Sequence, residues 1–296
     1  MLAKDDSAGA VFSRTGGALL AQLRANQPGV LAGQDPEYLH QLRVTVRRLR
    51  VILSLYSGLL GKRERKDAVR GVKWLAHALG PARDSDVFIN EIWPPLHDAL
   101  GNSSLVETLN AEWLAQRRRT ARTAHRALAS RRYLRMMLEL ERWFSAQSWR
   151  DHADAGRLAD WDQRARDFAR RELEHRAKRV RGYGRVLGGL EADALHRVRI
   201  EIKKLRYVMD AVGPLFQRAR VKKMLETLSR LQDILGALND IAVAELKIDA
   251  ALPRGRKIDI AQLWEQFAAW RALRSKVLKR KLNATWRAYR HVKSFW

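Results

Sequence analysis

Leu39–Arg50 reads LHQLRVTVRRLR and Leu195–Arg206 reads LHRVRIEIKKLR, so the same kind of stretch occurs twice in the chain. Both copies follow the pattern Leu-His-x-apolar-Arg-apolar-x-apolar-basic-basic-Leu-Arg, and they are 156 positions apart. A second pair, LGPARD at Leu79–Asp84 and LGALND at Leu235–Asp240, keeps this separation without a gap. Several matches at one constant offset indicate an old tandem duplication, with the polar stretch 148–160 as the joint.

The composition is that of a folded and strongly basic chain. The 296 residues include 57 Lys and Arg against 32 Asp and Glu, which gives a formal net charge of +25, and 46% of them are hydrophobic. This much apolar material can form a core in one or two domains. The charge predicts an acidic partner, which leaves polyphosphate, nucleic acid and an anionic membrane open. Because the chain has no cysteine, a disulfide framework, Cys-based zinc sites and a thiol nucleophile are excluded.

Apolar residues three and four positions apart predict helix nearly throughout, and no strand-type alternation is visible. The clearest helix start is Asp35-Pro36-Glu37, with an N-cap acid, Pro at the first helical position and an acid in the first turn. This helix is expected to run to about Gly58 or Gly61. Further helix stops are predicted at Gly80-Pro81, Gly182 to Gly189, Gly213-Pro214 and Pro253 to Gly255.

These motifs resemble the CHAD family, the conserved histidine α-helical domain. Its hallmark is this His-x-apolar-Arg-x3-basic-basic-x-Arg helix occurring twice, each copy followed by a Leu-Gly-x-x-Arg/Asn-Asp turn, and the resemblance spans nearly the whole chain. It implies an all-α fold of two four-helix bundles related by a pseudo-twofold axis, with residues 1–156 and 157–296 as the two repeats. It also implies a basic surface between the bundles and binding of inorganic polyphosphate, often with recruitment to polyphosphate granules.

On a helix, each copy of the repeated stretch separates into an apolar stripe and a basic face. The apolar stripes are Leu39, Leu42, Val46, Leu49 and Leu53, and Leu195, Val198, Ile202, Leu205 and Met209. The basic faces, here called the first and second ladders, are His40, Arg43, Arg47 and Arg50, and His196, Arg199, Lys203 and Arg206. Like charges at i,i+4 destabilise a helix by a few tenths of a kcal/mol, roughly, so a solvated face normally mixes signs. Acid-free ladders in matching positions therefore favour an anion-binding function.

Arginine-rich ladders suit a chain of phosphates, because guanidinium groups bind phosphate oxygens bidentately and lysine supplies point charge. The other residues predicted to bind polyphosphate are Arg48, Lys204, Lys66, Arg70, Lys73 and Lys222. The helix face that carries Lys66, Arg70 and Lys73 continues to His77, whereas the equivalent positions in the second half are Lys222, Glu226, Ser229 and Asp233. We therefore expect unequal contributions from the two halves. The arginine clusters at 117–119 and 131–135 are interpreted mainly as solvated charge.

Four ladder-associated residues have open interpretations. We hypothesise that His40 and His196 lie next to bound phosphate, whose charge would raise their pKa, and the alternative is that they are packing residues. Metal ligation is disfavoured, since no His-x3-His pair accompanies them. Asp84 and Asp240 either cap helices after Gly80 and Gly236, or hold ladder arginines in their binding rotamers. Both interpretations make these carboxylates structural rather than catalytic.

No enzyme signature is present. The phosphate loop Gly-x4-Gly-Lys-Ser/Thr, the Gly-x-Ser-x-Gly elbow and the His-Glu-x2-His helix are all missing. Glu172-Leu173-Glu174-His175-Arg176 only approaches the Glu-x-Glu-x-Lys signature of triphosphate tunnel enzymes and lies in a helical run, so it is interpreted as surface charge. We therefore expect a binding protein that needs no cofactor or metal.

Binding to a nucleic-acid backbone is the main alternative, because a surface that binds polyphosphate also attracts phosphodiesters. Single-strand binders interleave aromatic side chains with their cations, but only Tyr207 lies near a ladder. The remaining aromatics in helical segments are predicted to be core: Trp74, Trp113, Trp143, Trp264, Trp270 and Trp286. The start MLAKDDSAGAVF has no apolar signal segment, and no stretch approaches a membrane span. We expect a cytoplasmic protein without a membrane partner, associated with polyphosphate granules.

Overall fold

The computed structural model describes residues 2–3, 5–33, 35–151, 153–183, 192–252 and 257–296. Within these ranges the chain forms helices and no strand, apart from one isolated bridge between Ser7 and Arg164, so the all-α prediction is confirmed. The helices are α1 Ala8–Ala32, α2 Pro36–Leu55, α3 Lys62–Val87, α4 Trp93–Leu100, α5 Ser104–Leu128, α6 Arg131–Ala146, α7 Ala155–Asp162, α8 Ala165–Gly182, α9 Ala192–Val212, α10 Arg218–Ala251 and α11 Lys257–His291. A π turn at Phe88–Ile92 joins α3 to α4, and short 3-10 turns lie at Ser148–Arg150 and Gly213–Leu215.

Helix α2 begins as predicted. Asp35 has an extended conformation, and its carboxylate accepts a hydrogen bond from the backbone N–H of Glu37 at 2.7 Å. Pro36 occupies the first helical position, where a missing N–H has no cost. The helix ends at Leu55, before Gly58, because the chain turns at Tyr56 and buries that ring in the core.

The Gly80-Pro81 pair does not end a helix, so this prediction is wrong. Helix α3 continues through both residues to Val87, and Gly236 likewise lies inside α10. A Cβ atom added at Gly80 would lie 3.3 Å from Nη1 of Arg43, so the glycine gives this guanidinium room to lie against α3. The predicted stops at Gly182 and Gly213-Pro214 are confirmed, whereas residues 184–189 and 253–255 lie outside the described ranges.

Two hydrophobic clusters form the interior, and each takes residues from both sides of the predicted boundary at 156. The larger cluster combines α1, α2, α3 and α6 with α8, α9 and α10. At the joint, the ring of Phe12 lies 4.8 Å from Trp149 and 5.3 Å from Trp161, and Tyr56 stacks on Trp161 and Phe168. The smaller cluster combines α4 and the start of α5 with the end of α10 and the start of α11. The division at 156 itself stays a prediction.

The helix starts keep the spacing of the sequence repeat. Helices α2 and α9 begin at Pro36 and Ala192, and α3 and α10 begin at Lys62 and Arg218, which is the 156-residue offset in both cases. This register is what a duplication predicts, although the duplication remains an inference from the pattern. Of the six tryptophans predicted to be core, Trp113 and Trp286 are buried, and the other four are half-buried at the margins of the clusters. Among the described helices, none has the length and apolarity that crossing a bilayer requires.

Candidate anion-binding site

The two ladders meet where α2 packs against α9. Arg47 donates a hydrogen bond to the hydroxyl of Tyr207, and its guanidinium carbon lies 5.4 Å from the centroid of that ring. Lys203 lies close enough to Arg43, Arg47 and Arg199 for their charges to lower its pKa. The ladders therefore form one cationic group rather than two separate surfaces. We call Arg43, Arg47, Arg199 and Lys203 the central cluster.

Helix α3 fixes the orientation of Arg43. Nη1 of this half-buried arginine donates a hydrogen bond to the backbone carbonyl of Ala76 at 3.0 Å, and Nη2 lies 3.7 Å from Oδ1 of Asp84. Asp84 lies within α3, so the capping interpretation is wrong, because an interior residue has no free helix end beside it. The arrangement agrees instead with a carboxylate that helps to hold a ladder arginine.

Helix α10 holds Arg199 in the equivalent way. Nη1 of Arg199 donates a hydrogen bond to Oδ1 of Asn239 at 3.3 Å, and the same oxygen lies 3.3 Å from Nδ1 of His196. The carboxylate of Asp240 acts on Arg199 electrostatically. Asp240 also lies inside a continuous helix, so capping is wrong here too, for the same reason. Each ladder is thus braced by the helix that follows it in the chain.

The central cluster holds more positive charge than its surroundings compensate. Burial, together with the nearby charges of Arg199 and Arg47, lowers the pKa of Lys203 to about 7, while Asp240 opposes the shift. Burial also lowers the pKa of Arg43 and of Arg199. In addition, the Nε atoms of Arg43 and Arg199 are buried without a hydrogen-bond partner. An anion that entered this group would supply both the missing negative charge and the missing acceptors.

The environment of His40 differs from that of an imidazole beside an anion. Burial lowers its pKa first, and the positive charges of Arg83 and Arg47 contribute in the same direction, while Glu37 opposes them. The protein's own groups therefore favour the neutral imidazole, and a raised pKa needs a negative charge brought by a ligand. His196 is exposed and contacts Asn239, so both histidines border the central cluster.

Four predicted cations lie at the edge of the central cluster or away from it. Arg50 is exposed and lies close enough to Arg43 for its charge to lower the pKa of that arginine. Arg206 lies close to Asp210, and its charge opposes the rise that burial causes in the pKa of that carboxyl. Arg48 lines a groove formed with α1 and α9, and Lys204 lines the equivalent groove formed with α8 and α2. Lys204 is also paired with Glu201 at 2.7 Å. Arg48 and Lys204 point elsewhere because each follows a ladder residue by one position, a rotation of about 100° on a helix.

Cations on α3 extend the basic surface. Lys66, Arg70 and Lys73 are exposed and line a shallow groove near the start of this helix, although Arg70 pairs with Asp67 at 3.2 Å. Their spacing places them on the face that carries Gly80 and Asp84, and hence Arg43. In the second half, Lys222 is exposed but lies 3.9 Å from its own Glu226.

Two residues near the site were not predicted. Arg83 lies between His40, whose pKa it lowers, and Glu91, with which it pairs at 3.3 Å. The Nζ atom of Lys247 on α10 lies 4.6 Å from the ring centroid of Phe88. The negative charge of Asp84 also acts on this lysine. Lys247 follows Asp240 by seven positions, so the helical period would have placed it on the same face.

Tyr207, the only aromatic residue predicted near a ladder, is 7% exposed and has Arg47 against its ring. Because the ring is buried and its hydroxyl accepts a hydrogen bond from Arg47, it offers no free face for stacking a base. Glu172 and Arg176 lie on α8 and pair with each other at 3.5 Å, in agreement with the interpretation as helix charge. In the described part of the chain, no group of three or more His, Asp or Glu is placed to hold a metal ion.

Comparison with known proteins gives a consistent result. The family model of the CHAD domain matches residues 15–249. Two uncharacterized proteins of Mycobacterium tuberculosis, from strains CDC 1551 and H37Rv, are each 30% identical over 212 residues, which cover 69% of this chain and 38% of each relative. The chain thus spans well under half the length of these relatives.

Two solved structures share the fold. The crystal structure of the CHAD domain from the plant Ricinus communis is 26% identical, with a TM-score of 0.75, and the match covers 100% of this chain and 96% of that one. PptA from Streptomyces chartreusis is 16% identical, with a TM-score of 0.67, and the match covers 95% of this chain and 100% of that one. At this identity, the second likeness concerns the fold alone.

Proposed function

Because this chain belongs to the CHAD domain family, we propose that it binds inorganic polyphosphate at the central cluster. The observation that carries the proposal is the convergence of Arg43, Arg47, Arg199 and Lys203 from two helices, with incomplete compensation by acids. Polyphosphate is a regular chain of negative charges without bases, so its recognition requires spaced cations and little else. The exposed lysines of α3 extend the path that such a chain can follow.

The proposal includes the mode of action. Arginine and lysine side chains braced by neighbouring helices favour binding over turnover, so we propose that the protein holds the polymer without cleaving it. In the cell, this activity would bring the protein to polyphosphate granules. Nucleic acid would compete through its phosphates, but the buried ring of Tyr207 gives bases no stacking surface at the central cluster.

We expect polyphosphate binding to weaken steeply with salt. If the four cations of the central cluster each contact a phosphate, and single-strand behaviour transfers to this polymer, the slope of log affinity against log salt is about −3. Fluorescence anisotropy of end-labelled polyphosphate at several NaCl concentrations measures it, and the polymer should keep its length when Mg²⁺ is added. At equal phosphate concentration and physiological salt, DNA or RNA should compete poorly. Preference for either nucleic acid would contradict the proposal.

Gly80→Ala should weaken polyphosphate binding with little net change in the stability of the protein. The new methyl group would press on the guanidinium of Arg43, whose Nη1 lies 3.3 Å from that position, and we expect affinity to fall about threefold. The same change raises helix propensity by about 0.5–1 kcal/mol, but the new Cβ atom also clashes with the ring of Pro81, which opposes this gain. Thermal unfolding and anisotropy measure the two effects.

Gly17→Ala is the matched control for this prediction, because Gly17 lies inside α1 with nothing within 4 Å of its added Cβ atom. It should stabilise the protein by about 0.5–1 kcal/mol and leave affinity unchanged. Equal affinities of the Gly80 and Gly17 variants would mean that the position of Arg43 does not matter for binding.

A further inference from the structure

A cleft between α3 and α6 lies outside the central cluster. It has a volume of about 820 Å³ and is lined by the indoles of Trp74 and Trp143 and by four arginines, which are Arg70, Arg131, Arg132 and Arg135. Pockets for small molecules typically measure about 300–1,000 Å³, so the cleft is large enough for one. No motif of the repeated stretch contributes to it.

The walls of the cleft are set by core packing. Gly71 brings α3 close to α6, because a Cβ atom at this position would lie 2.9 Å from Cγ of Met136. Trp143 packs its ring 5.6 Å from Phe12 and 5.5 Å from Trp149, which anchors it in the larger cluster. Trp74 is half-buried one turn after Gly71. The aromatic surfaces are therefore held in place before any ligand arrives.

The charges of the cleft are unbalanced. Asp67 is paired with Arg70 at 3.2 Å. Within the part of the chain that the structure describes, no carboxylate lies within ion-pair distance of Arg131, Arg132 or Arg135. Glu139, which also lines the cleft, leaves a net positive charge in it. These arginines are free to bind an anion.

An aromatic surface accompanies these cations. The guanidinium carbon of Arg132 lies 4.4 Å from the ring centroid of Trp74, so this exposed side chain covers one indole face. That face becomes available to a base when Arg132 turns towards a phosphate. The interpretation of residues 131–135 as solvated charge does not account for this contact. The equivalent position of Trp74 in the second half is Arg230, so the aromatic wall belongs to one half only.

We propose that this cleft binds a nucleoside phosphate, with the base stacked on Trp74 and the phosphates held by Arg131, Arg132 and Arg135. A base on an aromatic side chain contributes about 1–3 kcal/mol, and arginine–phosphate contacts are charge-assisted. Bare polyphosphate can use only the arginines, so the combination of indole and cations selects a ligand with both a planar ring and phosphates. This inference does not rest on the polyphosphate proposal.

Isothermal titration calorimetry of the full chain with ATP, tripolyphosphate and adenosine tests the proposal. ATP should bind at least about tenfold more tightly than either fragment, because only ATP carries both features. A 5′-phosphorylated oligoadenylate is titrated in the same way as ATP. Tighter binding of ATP would indicate a free nucleotide as the ligand, and tighter binding of the oligoadenylate would indicate the end of a nucleic acid; either result supports the site. Equal affinities for ATP and tripolyphosphate would overturn it.

Variants locate the site. Trp74→Leu should reduce ATP affinity to that of tripolyphosphate, and Trp74→Phe, which keeps a smaller ring, should show part of this loss if the leucine variant does not fold. Arg132→Gln combined with Arg135→Gln should weaken ATP binding about tenfold or more. The matched control is Lys276→Gln combined with Arg280→Gln, two exposed residues of α11. Unchanged ATP affinity in the cleft variants would overturn the proposal.

A final arm separates the two proposals. Lys203→Glu alters the central cluster and not the cleft, so the ATP affinity of this variant should lie within about twofold of that of the unaltered protein. The change in net charge accounts for a difference of that size. Loss of ATP binding in this variant would assign the nucleotide to the central cluster and remove the cleft as a site. Failure of polyphosphate binding alone would leave the cleft inference standing.

Discussion

Lys203→Glu combined with Arg47→Glu should abolish polyphosphate binding without unfolding the protein. Each reversal removes at least one charge-assisted contact, typically about 1.5–3 kcal/mol, so we expect affinity to fall about 10²- to 10⁴-fold. Lys203 is surrounded by Arg43, Arg47 and Arg199, which already lower its pKa. A carboxylate at position 203 would be attracted by the arginines that remain, so the fold should tolerate it.

Anisotropy with labelled polyphosphate measures the loss, and circular dichroism with thermal unfolding checks the fold. The matched control is Lys276→Glu combined with Arg280→Glu, which changes net charge equally on an exposed part of α11. In cells that store polyphosphate, the tagged protein should gather at granules and the cluster variant should disperse. An equal loss of affinity in the control would show that overall charge, not the central cluster, drives binding.

Polyphosphate affinity should fall as pH rises above 7. The pKa of Lys203 is lowered to about 7, so this amine is charged below that pH and largely neutral above it in the free protein. A bound anion raises this pKa, because it favours the charged form. Binding between pH 7 and the higher pKa of the complex therefore takes up as much as one proton, and affinity should drop up to about tenfold for each pH unit.

Calorimetry in buffers of different ionisation enthalpy measures the proton uptake directly. Lys203→Arg keeps its charge over this range and should remove the effect above pH 7. His40→Gln serves as a control, because burial and the charge of Arg83 lower the pKa of this imidazole, so that in the free protein it titrates below Lys203. An unchanged pH profile in Lys203→Arg would show that another group is responsible.

The repeated stretch was sufficient to predict the helices that build the site. The start at Asp35 and the buried stripes of α2 and α9 depend on local signals, such as an N-cap acid and the helical period. The convergence of Arg47 and Lys203 could only be hypothesised, since it depends on how α2 packs against α9. Tertiary packing decides such contacts, and a single helix does not show them.

Local signals also misled in places. Gly80-Pro81 is a strong breaker, yet α3 passes through it, because tertiary contacts such as the hydrogen bond from Arg43 to the carbonyl of Ala76 and the packing of α3 against α2 and α5 outweigh the local preference. Arg48 is predicted from the sequence to bind polyphosphate, and its side chain lines a groove away from the central cluster, so its role stays a prediction. The sequence does not predict Lys247 as a site residue, because it is distant in sequence from Asp84 and only the packing of α10 brings the two together.

The two hydrophobic clusters restrict how the two halves of the chain could have evolved separately. Phe12 and Trp161 pack together across the joint, and α4 shares its interior with α11. Neither half of the chain has a complete interior of its own, so a gene split at the joint would yield two fragments with exposed aromatic surfaces. The cations of the two halves can differ, as they do at Arg70 and Glu226, while the shared interior ties both halves into one inherited unit.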